Sequence, residues 1–280
     1  MIGKAKRLAR IFNESSGKAV IVMLDDILLS GPELGLRHVD QKIEQVKAGN
    51  ADALLGFRGL LTRHADILAG RPTLMNLTAS TTRTAHTRKV QVATVEQAVQ
   101  MGVDAVAVHV NISSKYETEM LKILAEVSRD CERFGMPLLA IMYARGENAL
   151  GGDENYRDLL KSNPEKYTEL VRHAVRVGVE LGADLIKTSF TGSVESFRTV
   201  VESASGVPIL MAGGPKVAIP EFLEKAYAVT QAGAAGVCVG RNLFQRDEGK
   251  ELTIALREIV HEGKTVEAAM KTAKLPAKAA

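Results

Sequence analysis

"LGADLIKTS", residues 181–189, ends one kind of structure and begins another. Its glycine closes a helical pattern, a short turn follows, and "DLIK" runs on as an apolar strand. The phrase has three echoes: "AGNADALLG" at 48–56, "MGVDAVAVH" at 101–109 and "AGAAGVCVG" at 232–240. Working outward, short β-branched or apolar runs lie at 18–25, 51–57, 73–78, 104–110, 137–143, 184–189, 207–212 and 235–240. Most are continuous rather than alternating, as parallel strands covered on both faces are. Helical patterns separate them. "ATVEQAVQM" opens with a threonine cap, and "PEKYTELVRHAVRVGVELG" spaces Leu170, Ala174, Val177 and Leu181 along one face. Eight βα units with no compositional break predict an α/β fold, a single (β/α)8 TIM barrel over 1–280, with a lead-in at 1–17 and a tail at 271–280. A doubly wound open sheet is the structural alternative. The polar stretch 145–165 is long for a βα connection and reads as a surface excursion or lid beside the fifth strand.

Composition narrows the function classes. With no tryptophan and 4% aromatic residues, the chain offers little for stacking on bases. A net charge of +3 is too small to imply a polyanionic partner, although it suits a small phosphorylated ligand. Neither nucleic acid nor membrane is an expected partner. Two cysteines without paired spacing argue for a reducing cytoplasm over a secreted disulfide framework. No apolar run reaches the roughly 18 residues of a membrane span. The basic clusters "GKAKRLAR" (3–10) and "RTAHTRK" (83–89) read as solvated surface.

In a barrel, chemistry collects at the carboxyl ends of the strands. There the sequence places Asp25 and Asp26, His109 and Asn111, Tyr143 and Arg145, Lys187, then "AGGPK" (212–216) and "VGRN" (239–242). Gly213, Gly214 and Gly240 let backbone N–H groups approach an anion, and Arg241 adds a guanidinium. The loops after strands seven and eight are the recurrent phosphate site of this fold. Lys187 has two readings. It is a nucleophilic amine whose pKa burial lowers from about 10.4, ready to form a Schiff base, or it points outward to pair with Asp184 or Glu180. Asp25 and Tyr143 are candidate proton carriers. Their alternatives are a helix cap, for which Asp26 is the better placed, and a residue closing the barrel mouth. Six scattered histidines lack metal-ligand spacing, so no metal is expected, and His109 reads as a hydrogen-bonded barrel residue. No P-loop, dinucleotide or G-x-S-x-G motif is present.

The segments "LDDILLSGP", "TVEQAVQMGVDAVAVHVN", "GMPLLAIMYARG", "GADLIKTSFTGSVESFRTVV", "AGGPK" and "GAAGVCVGRNLFQRD" occur in that order. Together they resemble the archaeal-type class I aldolases, the fructose-bisphosphate aldolases and the 2-amino-3,7-dideoxy-D-threo-hept-6-ulosonate synthases. The resemblance runs from about residue 18 to 262. It implies a metal-independent, cofactor-free aldolase acting on a small phosphorylated sugar or keto substrate. The Schiff-base lysine falls on Lys187, the proton-transfer tyrosine on Tyr143 and the strand-one aspartate on Asp25. Phosphate holding falls on Gly213, Gly214, Gly240 and Arg241. By position alone, Asp26 and the Ser189 hydroxyl beside Lys187 are read as lining the substrate. The resemblance also implies a homo-oligomer, a decamer of two pentameric rings.

Two departures bear on substrate more than on mechanism. Asp26 and Ile27 stand where the family has His-Gly, and "LTASTTRT" (77–84) lacks the usual glycine pair. "VHVN", "MYARG" and "KTSFTG" lie nearer the heptulosonate synthases than the glycolytic branch. An enzyme joining dihydroxyacetone phosphate to aspartate semialdehyde, and a non-catalytic phosphosugar-binding barrel, are the alternatives. A sugar-phosphate isomerase would instead need a carboxylate base beside the carbonyl.

Overall fold

Eight parallel strands close on themselves: β1 Ala19–Met23, β2 Ala53–Gly56, β3 Thr73–Asn76, β4 Ala105–Ile112, β5 Leu138–Ala144, β6 Leu185–Thr188, β7 Ile209–Ala212 and β8 Gly236–Val239. Each pairs with its neighbour in sequence, and β8 returns to β1 through the register Ala19↔Gly236 to Val22↔Val239. The computed structural model describes residues 2–32, 35–150, 153–154 and 156–276. The barrel expected from the repeats is the barrel observed, and the open sheet is excluded by its closure.

The seam at β8 has a backbone reason for its glycine. Gly236 has φ of 129°, and a Cβ there would lie 1.9 Å from the Ala19 carbonyl oxygen. Only a residue without a side chain lets the last strand meet the first.

Alternate residues of each strand face the barrel axis. Ala19, Ile21 and Met23 of β1 meet Leu139 and Ile141 of β5 and Leu185 of β6 in a sealed inner core. The other residues of the strands pack under the helices, where Val20, Val22, Ala140, Met142 and Ile186 join the larger core. The helices begin as the sequence suggested. Thr94 caps Val95–Gln100 through a reciprocal box with Gln97. The helix Pro164–Glu180 buries Tyr167, Val171, Ala174, Val175 and Gly178. Its buried stripe is turned from the expected one, because Tyr167 rather than Leu170 anchors the face.

Three segments carry more structure than their sequence announced. The lead-in carries a helix, Ile2–Ile11, whose Ile11 is wholly buried and joins the inner core with Leu8 and Phe12. The first basic cluster is therefore not simply solvated. Lys4 is buried and pairs with Glu132 and Asp184, while Arg10 pairs with Asp104. At the same end, Asp52 holds Arg257 at 2.6 Å and His261 at 2.9 Å, and accepts Val20 N at 2.6 Å. The tail is docked through Ala273 and Leu275, both buried after the helix Val266–Thr272; residues 277–280 lie outside the described residues. In the expected lid, Gly146–Glu147 pairs antiparallel with Asp153–Glu154, and a helix, Arg157–Ser162, follows. Residues 151, 152 and 155 of that stretch lie outside the described residues. Among the described residues no helix is long and apolar enough to cross a membrane.

Candidate active site

The alternation that packs the barrel interior ends in polar side chains. The next inward positions are Asp25 past β1, Asn76 at the end of β3, His109 and Asn111 on β4, Tyr143 on β5 and Lys187 on β6. All lie at the carboxyl ends of the strands, where this fold places its chemistry.

Lys187 faces this interior, not the helix layer. The carboxylates offered as its outward partners are engaged elsewhere: Asp184 with Lys4 and the Leu138 amide, Glu180 with Arg176. The Lys187 amine donates to Met23 Sδ and to Tyr143, with Asp25 and Cys238 within electrostatic reach. Burial pushes its ammonium down, but Tyr143, Cys238 and Asp25 draw it back, and the balance lies above the ordinary lysine value. That corrects the sequence expectation of a lowered pKa. Burial alone was legible in the strand; the acidic company was not.

Asp25 is the complementary group. Burial pushes its carboxyl up, the Lys187 charge pulls it down, Asp26 pushes it up again, and the balance lies above the usual carboxylate value. Its Oδ2 accepts Asn76 Nδ2 at 3.1 Å. Asn76 is oriented in turn, since its Oδ1 accepts the Thr78 amide at 3.1 Å. Thr78 Oγ1 then accepts the His109 amide at 2.8 Å, and His109 Nε2 meets Asn111 Oδ1 at 2.9 Å. A chain of hydrogen bonds thus runs around the mouth from β1 to β4. The His109 ring stands edge-on to Tyr143, 5.0 Å between centroids. Burial, then Lys89 and Arg145, push the His109 imidazole well below its ordinary value, so it stays neutral. Sequence reading placed His109 correctly as a hydrogen-bonded barrel residue and missed Asn76, whose only signal was its inward place at the end of β3.

The loops after β7 and β8 are stapled by a side chain that sequence reading passed over. Asn242 Nδ2 donates to the carbonyls of Gly213 at 2.9 Å and Pro215 at 2.8 Å, and its Oδ1 accepts Val217 N at 3.1 Å. Gly214 has φ of 69°, in the left-handed region that favours glycine. A Cβ on Gly213 would lie 3.0 Å from Val239, and one on Gly240 2.9 Å from the Met23 carbonyl oxygen. Arg241 follows, its Nε 3.8 Å from Asp26 Oδ2. Asp26 is not a cap: it heads the helix Asp26–Ser30, and Asp25, at the cap position, makes no capping bond. Ser189 lies half-buried just past β6. Its neighbours serve structure, Thr188 Oγ1 donating to the Met142 carbonyl and Thr191 Oγ1 meeting Ser196.

Residues 19–246 match the DeoC/LacD family aldolase profile. The chain belongs to that family of aldolases. It is 36% identical over 275 residues to a 2-amino-3,7-dideoxy-D-threo-hept-6-ulosonate synthase of Archaeoglobus fulgidus, covering 97% of this chain and 96% of that one. It is 33% identical over 282 residues to the 2-amino-4,5-dihydroxy-6-oxo-7-(phosphonooxy)heptanoate synthase of Streptomyces griseus, covering 99% and 97%. Among solved structures it resembles an archaeal fructose-1,6-bisphosphate aldolase whose catalytic lysine carries the carbinolamine intermediate of its substrate. That likeness has a TM-score of 0.80 at 29% identity, over 92% of this chain and 99% of that one. This aldolase is of class I, the Schiff-base-forming kind.

Proposed function

We propose that the aldolase joins a phosphorylated keto donor to an aldehyde acceptor, and cleaves the same bond in reverse, with Lys187 as its Schiff-base residue. The observation that carries this is the convergence of Lys187, Tyr143 and Asp25 at the carboxyl ends of β6, β5 and β1, where the buried Lys187 amine donates to Tyr143 and lies within electrostatic reach of Asp25. The resting amine is protonated, so attack begins with proton transfer. Asp25, already biased towards its neutral form, takes the proton from Lys187, and two buried charges vanish together. The neutral amine adds to the donor carbonyl, and Tyr143 protonates the oxygen that leaves as water, giving the iminium. The iminium draws electrons from the adjacent carbon as the C–C bond forms or breaks.

Gly213, Gly214, Gly240 and Arg241 hold the donor phosphate, with Asp26 and Ser189 beside the reacting carbons. Fixing the phosphate fixes the carbonyl near Lys187, which is where positioning contributes to rate. The similarity to two heptulosonate- and heptanoate-forming synthases over nearly the whole chain favours a seven-carbon amino-keto acid product over fructose 1,6-bisphosphate. The chain works as a cytoplasmic homo-oligomer in this reading, a decamer of two pentameric rings, which light scattering tests. Borohydride reduction in the presence of dihydroxyacetone phosphate tests the chemistry. Peptide mass spectrometry should find the reduced adduct on Lys187, and an adduct elsewhere, or none with any ketose or triose phosphate, would sink the assignment.

A further inference from the structure

The fold uses only one of the two ring nitrogens of His109. The second basic cluster, read from sequence as solvated, folds over the barrel mouth. Its Thr87 and Lys89 are buried, and Thr82 N just before it donates to the Leu29 carbonyl beyond β1 at 2.9 Å. This loop presents the Thr87 carbonyl to Asn111, whose Nδ2 donates to it at 2.7 Å. A carbonyl only accepts, so the Asn111 amide is fixed with its NH2 group towards the loop and its Oδ1 turned away. That Oδ1 lies 2.9 Å from His109 Nε2. It too only accepts, which places the imidazole proton on Nε2. Burial and the surrounding cations hold the ring neutral, so Nδ1 keeps a bare lone pair.

That lone pair opens on the site. His109 is 9% exposed, and among the described residues its Nδ1 has no hydrogen-bond partner. The one wholly buried side-chain nitrogen or oxygen left unpaired among them is Arg7 Nε, so His109 Nδ1 reaches the free space of the mouth. An acceptor held nine-tenths buried with no partner of its own is costly unless something else donates to it. The ring stands edge-on to Tyr143, and Lys187 is among the charges that act on it. Around the barrel the groups follow in strand order: the glycine loops and Arg241 after β7 and β8, Lys187 on β6, Tyr143 on β5, His109 on β4. A donor with its phosphate at the first of these and its carbonyl at Lys187 extends its remaining carbon towards Tyr143 and His109. In dihydroxyacetone phosphate that carbon carries a hydroxyl group, and it is the carbon that forms the new bond.

We propose that His109 contacts the substrate, its Nδ1 accepting a hydrogen bond from the hydroxyl on the donor carbon that becomes the nucleophile. The inference rests on the aldolase reading of the site and deepens it. Selectivity for a hydroxylated donor is then the work of β4, with Asn111 and the Thr87 carbonyl as positioning groups that keep the proton on the far nitrogen.

The test compares dihydroxyacetone phosphate with hydroxyacetone phosphate, which lacks only that hydroxyl. The quantity read is the donor concentration giving half-maximal borohydride trapping. The wild type should favour dihydroxyacetone phosphate roughly 2- to 10-fold, the scale of one neutral hydrogen bond. In His109→Gln the amide nitrogen reproduces the bond to Asn111 and leaves no acceptor at the place of Nδ1, so the two donors should become equal. His109→Asn, whose amide oxygen falls near Nδ1, should restore part of the preference. Equal trapping of both donors by the wild type overturns the contact. So does an unchanged preference in His109→Gln, or a weakening of both donors there by the same factor. Should neither variant fold, nitrogen-15 NMR of histidine-labelled wild type decides. The His109 Nδ1 resonance should move in the reduced dihydroxyacetone phosphate adduct and not in the hydroxyacetone phosphate one, and the same behaviour in both overturns the contact. No adduct with either donor in the wild type defeats the aldolase assignment, whereas adducts with both at equal concentrations defeat only the contact.

Discussion

Replacing Lys187 with methionine should do more than remove a nucleophile: it should make the protein's stability depend on pH in a new way. Lys187 is the charge that pulls the buried Asp25 carboxyl down against the larger push of burial. Without it the native-state pKa of Asp25 rises further above the unfolded value of 3.8. A carboxyl whose folded pKa is raised costs nothing below the unfolded pKa. It then destabilises progressively as pH climbs from the unfolded value to the folded one. At pH 5 the variant holds a neutral acid beside an apolar side chain of similar length, and the cost is only what the unfolded carboxyl gains by ionising above 3.8. At pH 8 it holds an unpaired buried carboxylate, a loss of about 3–5 kcal/mol, equivalent to about two to four pKa units. For 280 residues this lowers Tm by about 5–9 °C. Calorimetry at the two pH values should show a clearly larger Tm deficit against the wild type at pH 8 than at pH 5, where only about 1.6 kcal/mol of the cost has developed above the unfolded value of 3.8. Adding Asp25→Asn should remove the pH dependence. A Tm difference equal at both pH values, or unaffected by the second substitution, would refute the pairing of these two groups.

Asn76→Ala removes a donor from the Asp25 carboxylate. Its pKa should rise and the acid limb of the pH–rate profile move to higher pH, while Asn76→Ser recovers part of the shift. Gly236→Ala drives a methyl group into the Ala19 carbonyl at the closing seam, and should cost more than about 3 kcal/mol or prevent soluble expression. Asp26→Asn frees Arg241 from a half-exposed carboxylate; donor KM should fall about two- to fivefold, as for a surface pair. Cys131 and Cys238 are both buried and their thiols pushed up to about 12, so native protein at pH 8 should resist iodoacetamide and both should react after unfolding.

The barrel was legible because its evidence is repetitive: four near-copies of one helix-to-strand phrase set a rhythm that eight strands complete. The inward trio was legible for a different reason, since strand alternation turns Asp25, Tyr143 and Lys187 inward at the same end of the barrel once the strands are placed. What lay beyond reading is what depends on segments distant in sequence. Lys4, Lys89 and Lys187 look alike in sequence, yet one pins a helix to the strand ends, one sits under a loop, and one faces a carboxylate. The direction of the Lys187 pKa went astray for the same reason, because burial is local and the partners are not. Asn242 was passed over because three of its hydrogen bonds reach back 25 to 29 residues, and nothing in "GRN" announces them.

The N-terminal helix imposes an order of events on the chain as it is made. Ile2–Ile11 is synthesised before its anchors at Asp104, Glu132 and Asp184. Until those residues follow, its apolar face has no partner of its own, and the barrel floor it will seal does not yet exist. The plug is thus made before the strands it seals and is late to dock. A bulky fusion joined directly to this helix would be pulled against the underside of the barrel, whereas a long, supple spacer would let the helix seat first.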